Sequence, residues 1–157
     1  MLRTSIALCG ATLLLAIAAA APVLADELPV HKAGYWEIKI TATVVGGPNM
    51  PSAIMHKCVD AASEKKAGEL AKRMASKINV QKTANGYIIT STLSGMTTEQ
   101  HSEIIGNFDS AYTEKATSNG MASTKEVKWL GSCPEGWKPG DVQLPSGARM
   151  NILDAAK

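Results

Sequence analysis

The chain has 157 residues, 16 lysines and arginines against 14 aspartates and glutamates, a formal net charge of +2, and only three Trp, three Tyr and one Phe. A balance so close to neutral provides no basic stripe for nucleic acid or for an anionic membrane surface. So few rings also leave little for an aromatic stacking platform, and they predict a thin core, because burying one large side chain contributes only about 1.5–3 kcal/mol.

The chain opens with Arg3, then runs without a charge from Ile6 to Leu24, and places Val23 and Ala25 at the −3 and −1 positions before Asp26. This is the pattern of a secretory leader cut between Ala25 and Asp26. The apolar run approaches the ~20 residues of a membrane span, but Pro22 interrupts it and cleavage removes it, so no membrane span is expected afterwards. Cys9 follows Leu8 and precedes most of the apolar run, which is the wrong place for a lipid-anchor cysteine. The expected organisation is a signal peptide at 1–25 and a single domain at 26–157, with fifteen basic and fourteen acidic residues left in the exported form.

Trp36, Ile38, Ile40, Ala42 and Val44 alternate with polar residues, which predicts a strand over 36–44, ended by Gly46-Gly47-Pro48-Asn49. A shorter strand is expected over 52–59. Asp60 then reads as the N-cap of a helix reaching about Ala75, with an apolar stripe of Ala67, Leu70, Ala71 and Met74 at helical spacing. Strands over 77–83 and 87–93 flank Asn85-Gly86, a hairpin signal. Further strands are expected over 97–105, 110–117 and 124–130, with Asn119-Gly120 opening the last turn. From about Pro134 the prolines and glycines predict an irregular tail, with a short helix or frayed end at 151–157. The predicted fold class is α+β, a curved antiparallel meander of six or seven strands with one helix inserted after the second.

Cys9 leaves with the leader, so Cys58 and Cys133 remain, and two thiols in an oxidising compartment predict one disulfide. Closing about 75 residues, it would contribute roughly 4 kcal/mol on the chain-entropy account. The search for chemistry otherwise yields little. His101, Ser102 and Glu103 are adjacent on a predicted strand, where neighbours point to opposite faces, so His101 cannot activate Ser102. No Gly-x-Ser-x-Gly elbow is present. Glu99 and Glu103 share a strand face but stand roughly 13 Å apart, too far for a glycosidase pair. Met55, His56 and Cys58 combine thioether, imidazole and thiol, a set suited to Cu(I), though the disulfide would consume the thiolate. No phosphate-binding glycine loop exists. No catalytic, cofactor-binding or metal residue is therefore assigned, and no cofactor is expected.

Several fragments together resemble one family: Lys32-Ala-Gly-Tyr-Trp-Glu-Ile38, Cys58-Val-Asp60, His101-Ser102, Gly106-Asn-Phe-Asp-Ser-Ala-Tyr112, Lys128-Trp-Leu-Gly-Ser-Cys-Pro134 and Lys138-Pro-Gly-Asp141. In order and spacing, from about Lys32 to Leu153, they resemble the exported bacterial domain-of-unknown-function family 3617. The resemblance implies a Gram-negative periplasmic location and maps the family's Cys-Val-Asp and Gly-x-Cys-Pro cysteines onto Cys58 and Cys133. It carries no established activity. A second cysteine pair common in the family is missing here, since 76–80 and 91–93 hold none. The sequence thus points to a non-enzymatic periplasmic module that binds a small apolar ligand or an envelope protein. The alternatives are an envelope hydrolase using His56 or His101 with a carboxylate from another strand, and copper handling through Met55, His56 and Cys58.

Overall fold

The structure, a computed structural model, describes residues 23–24 and 27–155, and the side chains of 27–154. Residues 1–22 of the leader expected at 1–25, and its expected cleavage site between Ala25 and Asp26, lie outside the described residues. Ten strands form one sheet. In chain order they are β1 (Val23–Leu24), β2 (Gly34–Val44), β3 (Ala53–Val59), β4 (Ala75–Thr83), β5 (Gly86–Leu93), β6 (Glu99–Asn107), β7 (Ala111–Ser118), β8 (Met121–Gly131), β9 (Asp141–Gln143) and β10 (Arg149–Asn151). The helices are α1 (Ala61–Met74) and the short α2 (Ile152–Ala155). The strand order is β1-β4-β5-β6-β7-β8-β2-β3-β9-β10, with every pairing antiparallel.

The seven long strands are those that the alternation from Trp36 and the turn signals predict, with ends shifted by up to three residues. Three short strands extend the sheet beyond them. Two of these correct the expected tail: the segment from about 134 is not irregular throughout, because Asp141–Gln143 pairs with β3 and Arg149–Asn151 pairs with Asp141–Gln143. Three-residue strands have no room for a readable period, and they form here because the free edge of β3 supplies partners. The turn joining β7 to β8 has positive φ at both Asn119 and Gly120 (48° and 74°), as a two-residue hairpin turn requires. Gly86, opening β5, passes so close to the Ile104 carbonyl that no Cβ fits there.

One helix joins β3 to β4, two strands separated in the sheet by β2, β8, β7, β6 and β5. Six inter-strand steps would place them about 29 Å apart in a flat sheet. The fourteen-residue helix is only about 21 Å long, and a single residue, Asp60, separates it from β3. The sheet must therefore curl. Trp36, Ile38, Val127, Tyr112, Ile104, Tyr87 and Val80 share the concave face by register. Glu37, Lys39, Thr41, Thr124, Glu126 and Lys128 share the opposite face.

The core is small and lies at one end of the concave face. Trp36 and Val127 are fully enclosed, Val59 nearly so, and Ile38, Tyr112 and Trp129 pack against them. α1 contributes little apolar burial: of the expected stripe Ala67 and Leu70 are half-buried, whereas Ala71 and Met74 are exposed. Its anchorage lies at its start. Asp60 accepts from the Ser63 amide, Ser63 Oγ accepts from the Asp60 amide, both at 2.8 Å, and Ser63 is buried.

Next to that cap, Cys58 is fully buried and disulfide-bonded to Cys133, with the Cα atoms 5.6 Å apart. The bridge ties β3 to the segment that follows β8, across 75 residues of chain. Asp141 fixes the tail beside it, accepting from the Lys138 amide at 2.8 Å and from Asn151 Nδ2 at 2.8 Å. Replacing Cys133 with Ser is expected to lower the unfolding free energy by about 3–4 kcal/mol. Urea denaturation measures this, and reductant should shift the native chain by a similar amount and leave the variant unmoved.

Candidate functional site

Four chemistry-bearing side chains meet where the segment before β2 crosses the concave face. Lys57 comes from β3, where it shares the inward parity of Met55 and Val59. Glu64 sits in the first turn of α1. Tyr112 lies on β7, opposite Val127. His31 comes from the coil that leads into β2.

His31 is held from every side. Its Nδ1 lies 2.6 Å from Glu64 Oε2, and its own amide donates to the same oxygen at 3.1 Å. Its Nε2 lies 2.8 Å from the Tyr112 hydroxyl. The arrangement assigns the neutral tautomer with the proton on Nδ1, donating to the carboxylate while Nε2 accepts from the phenol. Lys57 Nζ stands 3.3 and 3.4 Å from the two ring nitrogens and 3.4 Å from Glu64 Oε1. Trp36 and Phe108 meet the imidazole edge-on, with centroids 4.9 and 5.0 Å away, and Phe108 stacks on Tyr112 at 4.4 Å. The His31 and Glu64 side chains are each 9% exposed.

Burial and pairing set the charges. Burial pushes the Glu64 carboxyl up, but the hydrogen bond from His31 and the charge of Lys57 outweigh it and hold the group at about 2. Burial lowers the His31 pKa, against the hydrogen bond to Glu64 and with the help of Lys57. Burial likewise lowers Lys57, against the pull of Glu64. Burial raises Tyr112, and the nearby Glu114 and Glu64 charges raise it further. A second pair continues along the same face: Lys125 Nζ lies 3.0 Å from both oxygens of Glu114, which also accepts from Ser102 Oγ at 3.2 Å. The two pairs balance in charge.

Beside this cluster lies an open groove of about 600 Å³. Pro29 and Val30 form one wall, the turn joining β4 to β5 another, and Ile105 to Asp109 the third. Of its lining residues Val30 and Ile105 are 54% and 51% exposed, Ile105 with its side chain on the other face of β6 from Ile104. Lys82, Asn85 and Asp109 supply polar groups at its margin. Phe108 belongs to both features: one part of it lines the groove, and its ring packs on His31 and Tyr112. Tyr87 meets Phe108 edge-on at 5.7 Å.

The residues singled out from sequence are elsewhere. Met55 and His56 are neighbours on β3 and face opposite sides of the sheet, and Cys58 is in a disulfide, so the copper set is not assembled. No group of three His, Cys, Asp or Glu suited to a metal ion occurs among the described residues. His56 lies flat on Tyr35, with centroids 5.2 Å apart, and 3.5 Å from Glu37 on β2. That is a histidine with a carboxylate from another strand, but among the described residues no hydroxyl or thiol is hydrogen-bonded to it. His101 is exposed and Ser102 buried, on opposite faces of β6. Glu99 and Glu103 are both exposed.

Sequence reasoning missed the His31 cluster as a unit. The inward parity of Lys57 on an otherwise apolar strand face was a usable signal. The meeting of His31 with Glu64 and Tyr112, 33 and 81 positions away, had none. No protein-family model, curated protein or solved structure matches the chain, and no helix among the described residues is long and apolar enough to cross a membrane.

The cluster predicts an acid-sensitive fold. Glu64 has a folded pKa near 2 against an unfolded value near 4.5, so its stabilisation is complete above pH 4.5 and is lost as the pH falls towards 2. His31 has a lowered folded pKa. The unfolded chain therefore takes up its proton first, and stability begins to fall already below about pH 6.5. Glu64→Gln should remove up to about 3 kcal/mol at pH 7 and flatten the limb between pH 5 and 2. Denaturant midpoints across that range measure both effects.

Proposed function

We propose that the chain is an exported, non-enzymatic protein that binds a small apolar or amphipathic molecule; its resemblance to the exported domain-of-unknown-function family 3617 supports the export alone. The single observation that carries this reading is the groove beside Phe108. Its volume is that of a small-molecule site, and it leaves Val30 more than half exposed beside the Phe108 ring. Val30 with the rings of Phe108 and Tyr87 offers a floor for an aliphatic body, the Ile105 side chain lying on the other face of β6. Lys82 and Asn85 at the margin offer donors to a polar head.

Export is supported by the leader-like start and by the buried disulfide, which belongs to an oxidising compartment. A periplasmic location and cleavage after Ala25 are part of this reading. The His31–Glu64–Tyr112–Lys57 cluster serves as the groove's support. Both ring nitrogens of His31 are engaged, and 9% exposure leaves a substrate no access to them. It fixes Phe108 from behind, and Lys32 fixes it from the main chain by donating its amide to the Phe108 carbonyl at 2.7 Å.

Decanoate and decanol are suitable probes, alike in their apolar body and different in head charge. Titration followed by heteronuclear NMR is expected to shift the amides of 82–87 and 105–109 saturably. Val30→Asp should weaken binding at least about tenfold, the worth of one lost apolar contact. Met121→Asp, at the distant turn joining β7 to β8, should leave it unchanged. Saturable shifts confined to other parts of the sheet, or none with either probe, would refute the groove as the site.

A further inference from the structure

We infer that in the processed protein the outer edge of β4 pairs with β4 of a second copy, antiparallel, about a two-fold axis that passes at Asn79. The inference rests on the export reading, because two residues ahead of the cleavage site occupy part of that edge: Val23 lies opposite Lys82 and Leu24 opposite Gln81. Their pairing demonstrates that the edge accepts an extended antiparallel strand. Cleavage after Ala25 would remove them and leave all nine residues of β4 without a neighbour on that side, a ready template for another strand.

The backbone fixes which registers are open. Thr83 and Gly86 pair across the two-residue loop, so the ladder to β5 uses the peptide groups of Thr83, Gln81 and Asn79. Those of Lys82, Val80 and Ile78 point to the free edge. A two-fold at Asn79 sets Ile78 against Val80 of the second copy and Lys82 against Ser76, so that outward groups meet outward groups. It uses the full strand, from Ala75 against Thr83, and places no two like charges opposite each other. Ile78 and Val80 lie on the concave face, where their pairing would continue the apolar side of one sheet into the other.

The independent observation is Asn79 itself. Its Oδ1 is buried and has no hydrogen-bond partner, alone among the buried side-chain polar atoms of the described residues. Such an orphan is costly and uncommon. At the two-fold, Asn79 faces Asn79 of the second copy in a non-hydrogen-bonded pair, the kind whose Cα atoms approach to about 4.5 Å and whose side chains lie closest. Each Oδ1 there can accept from the other Nδ2–H, and the closed symmetry satisfies both at once.

The test uses the complete sequence, expressed with its own leader and recovered from the exported fraction. Intact mass reports cleavage, and light scattering behind size exclusion reports assembly. The expected result is a chain beginning at Asp26 with twice the monomer mass. Asn79→Ala should weaken the dimer about tenfold, two hydrogen bonds lost at one interface, without lowering the melting temperature of the monomer. Asn79→Cys should cross-link on mild oxidation, the separation lying within disulfide range, whereas Lys77→Cys should not. A processed chain that stays monomeric, or a dimer that Asn79→Cys fails to link, overturns the β4 pairing and leaves the export reading standing. A chain recovered with its leader attached overturns both.

Discussion

The tether formed by α1 governs this fold. It joins two strands that five others separate in the sheet, with one residue to spare at its start and none at its end. Its length is shorter than the flat separation of those strands, so curvature follows from connectivity before any side chain is considered. What side chains decide is where the tether is held. The body of the helix buries almost nothing, and Ser63 is its one buried residue. Its first turn carries the reciprocal cap between Asp60 and Ser63, the Glu64 bonds to His31 and Lys57, and the neighbouring disulfide of Cys58. The restraints on the curved sheet are concentrated at one end of one helix.

That concentration accounts for the polar character of the inner face. Lys57–Glu64 and Lys125–Glu114 occupy positions that a thicker fold would fill with leucine. Desolvating such pairs costs about what their attraction returns, so they contribute little net stability. They do contribute a unique geometry. An apolar side chain at position 31 could slide on Trp36 and Phe108, whereas an imidazole bonded at both nitrogens to groups from α1 and β7 has one position. Because Phe108 meets that imidazole edge-on and stacks on Tyr112, the wall of the neighbouring groove inherits the same fixity. In a chain with one phenylalanine, rigidity of that ring is set by polar contacts rather than by packing alone.

The long strands and the helix cap were legible because each is a local pattern: nine alternating residues from Trp36, Asp60 before a helical stripe, Asn119-Gly120 between polar strands. The disulfide was legible from the expected compartment and from count, Cys58 and Cys133 being the two cysteines outside the expected leader. The short strands at 141–143 and 149–151 were not, since they depend on an edge offered by β3. The apolar stripe of α1 was half misread. Ala71 and Met74 match the helical period yet face solvent, because a helix spanning a gutter touches its rims more than its floor. Among candidate site residues, His56 and His101 drew attention by their neighbours in sequence. His31, flanked only by Val30 and Lys32, became the centre because three remote elements converge on it.

The edges of the sheet show how little sequence is needed to control pairing. Lysines on an edge strand ordinarily discourage association, and β4 carries two, Lys77 and Lys82. Their effect depends on register. Sliding a β4–β4 pairing by four residues, so that its axis moves two positions to 77, sets Lys77 against Lys77. An axis at 82 sets Lys82 against Lys82. Intermediate half-steps set outward peptide groups against inward ones and form no ladder. The axis at 79 escapes both penalties, placing Lys77 opposite Gln81 and Lys82 opposite Ser76, and it is also where the unpartnered amide sits. Two lysines and one asparagine thus act on the same nine-residue strand in opposite directions: the charges close the axes at 77 and 82, and the amide rewards one of those that remain.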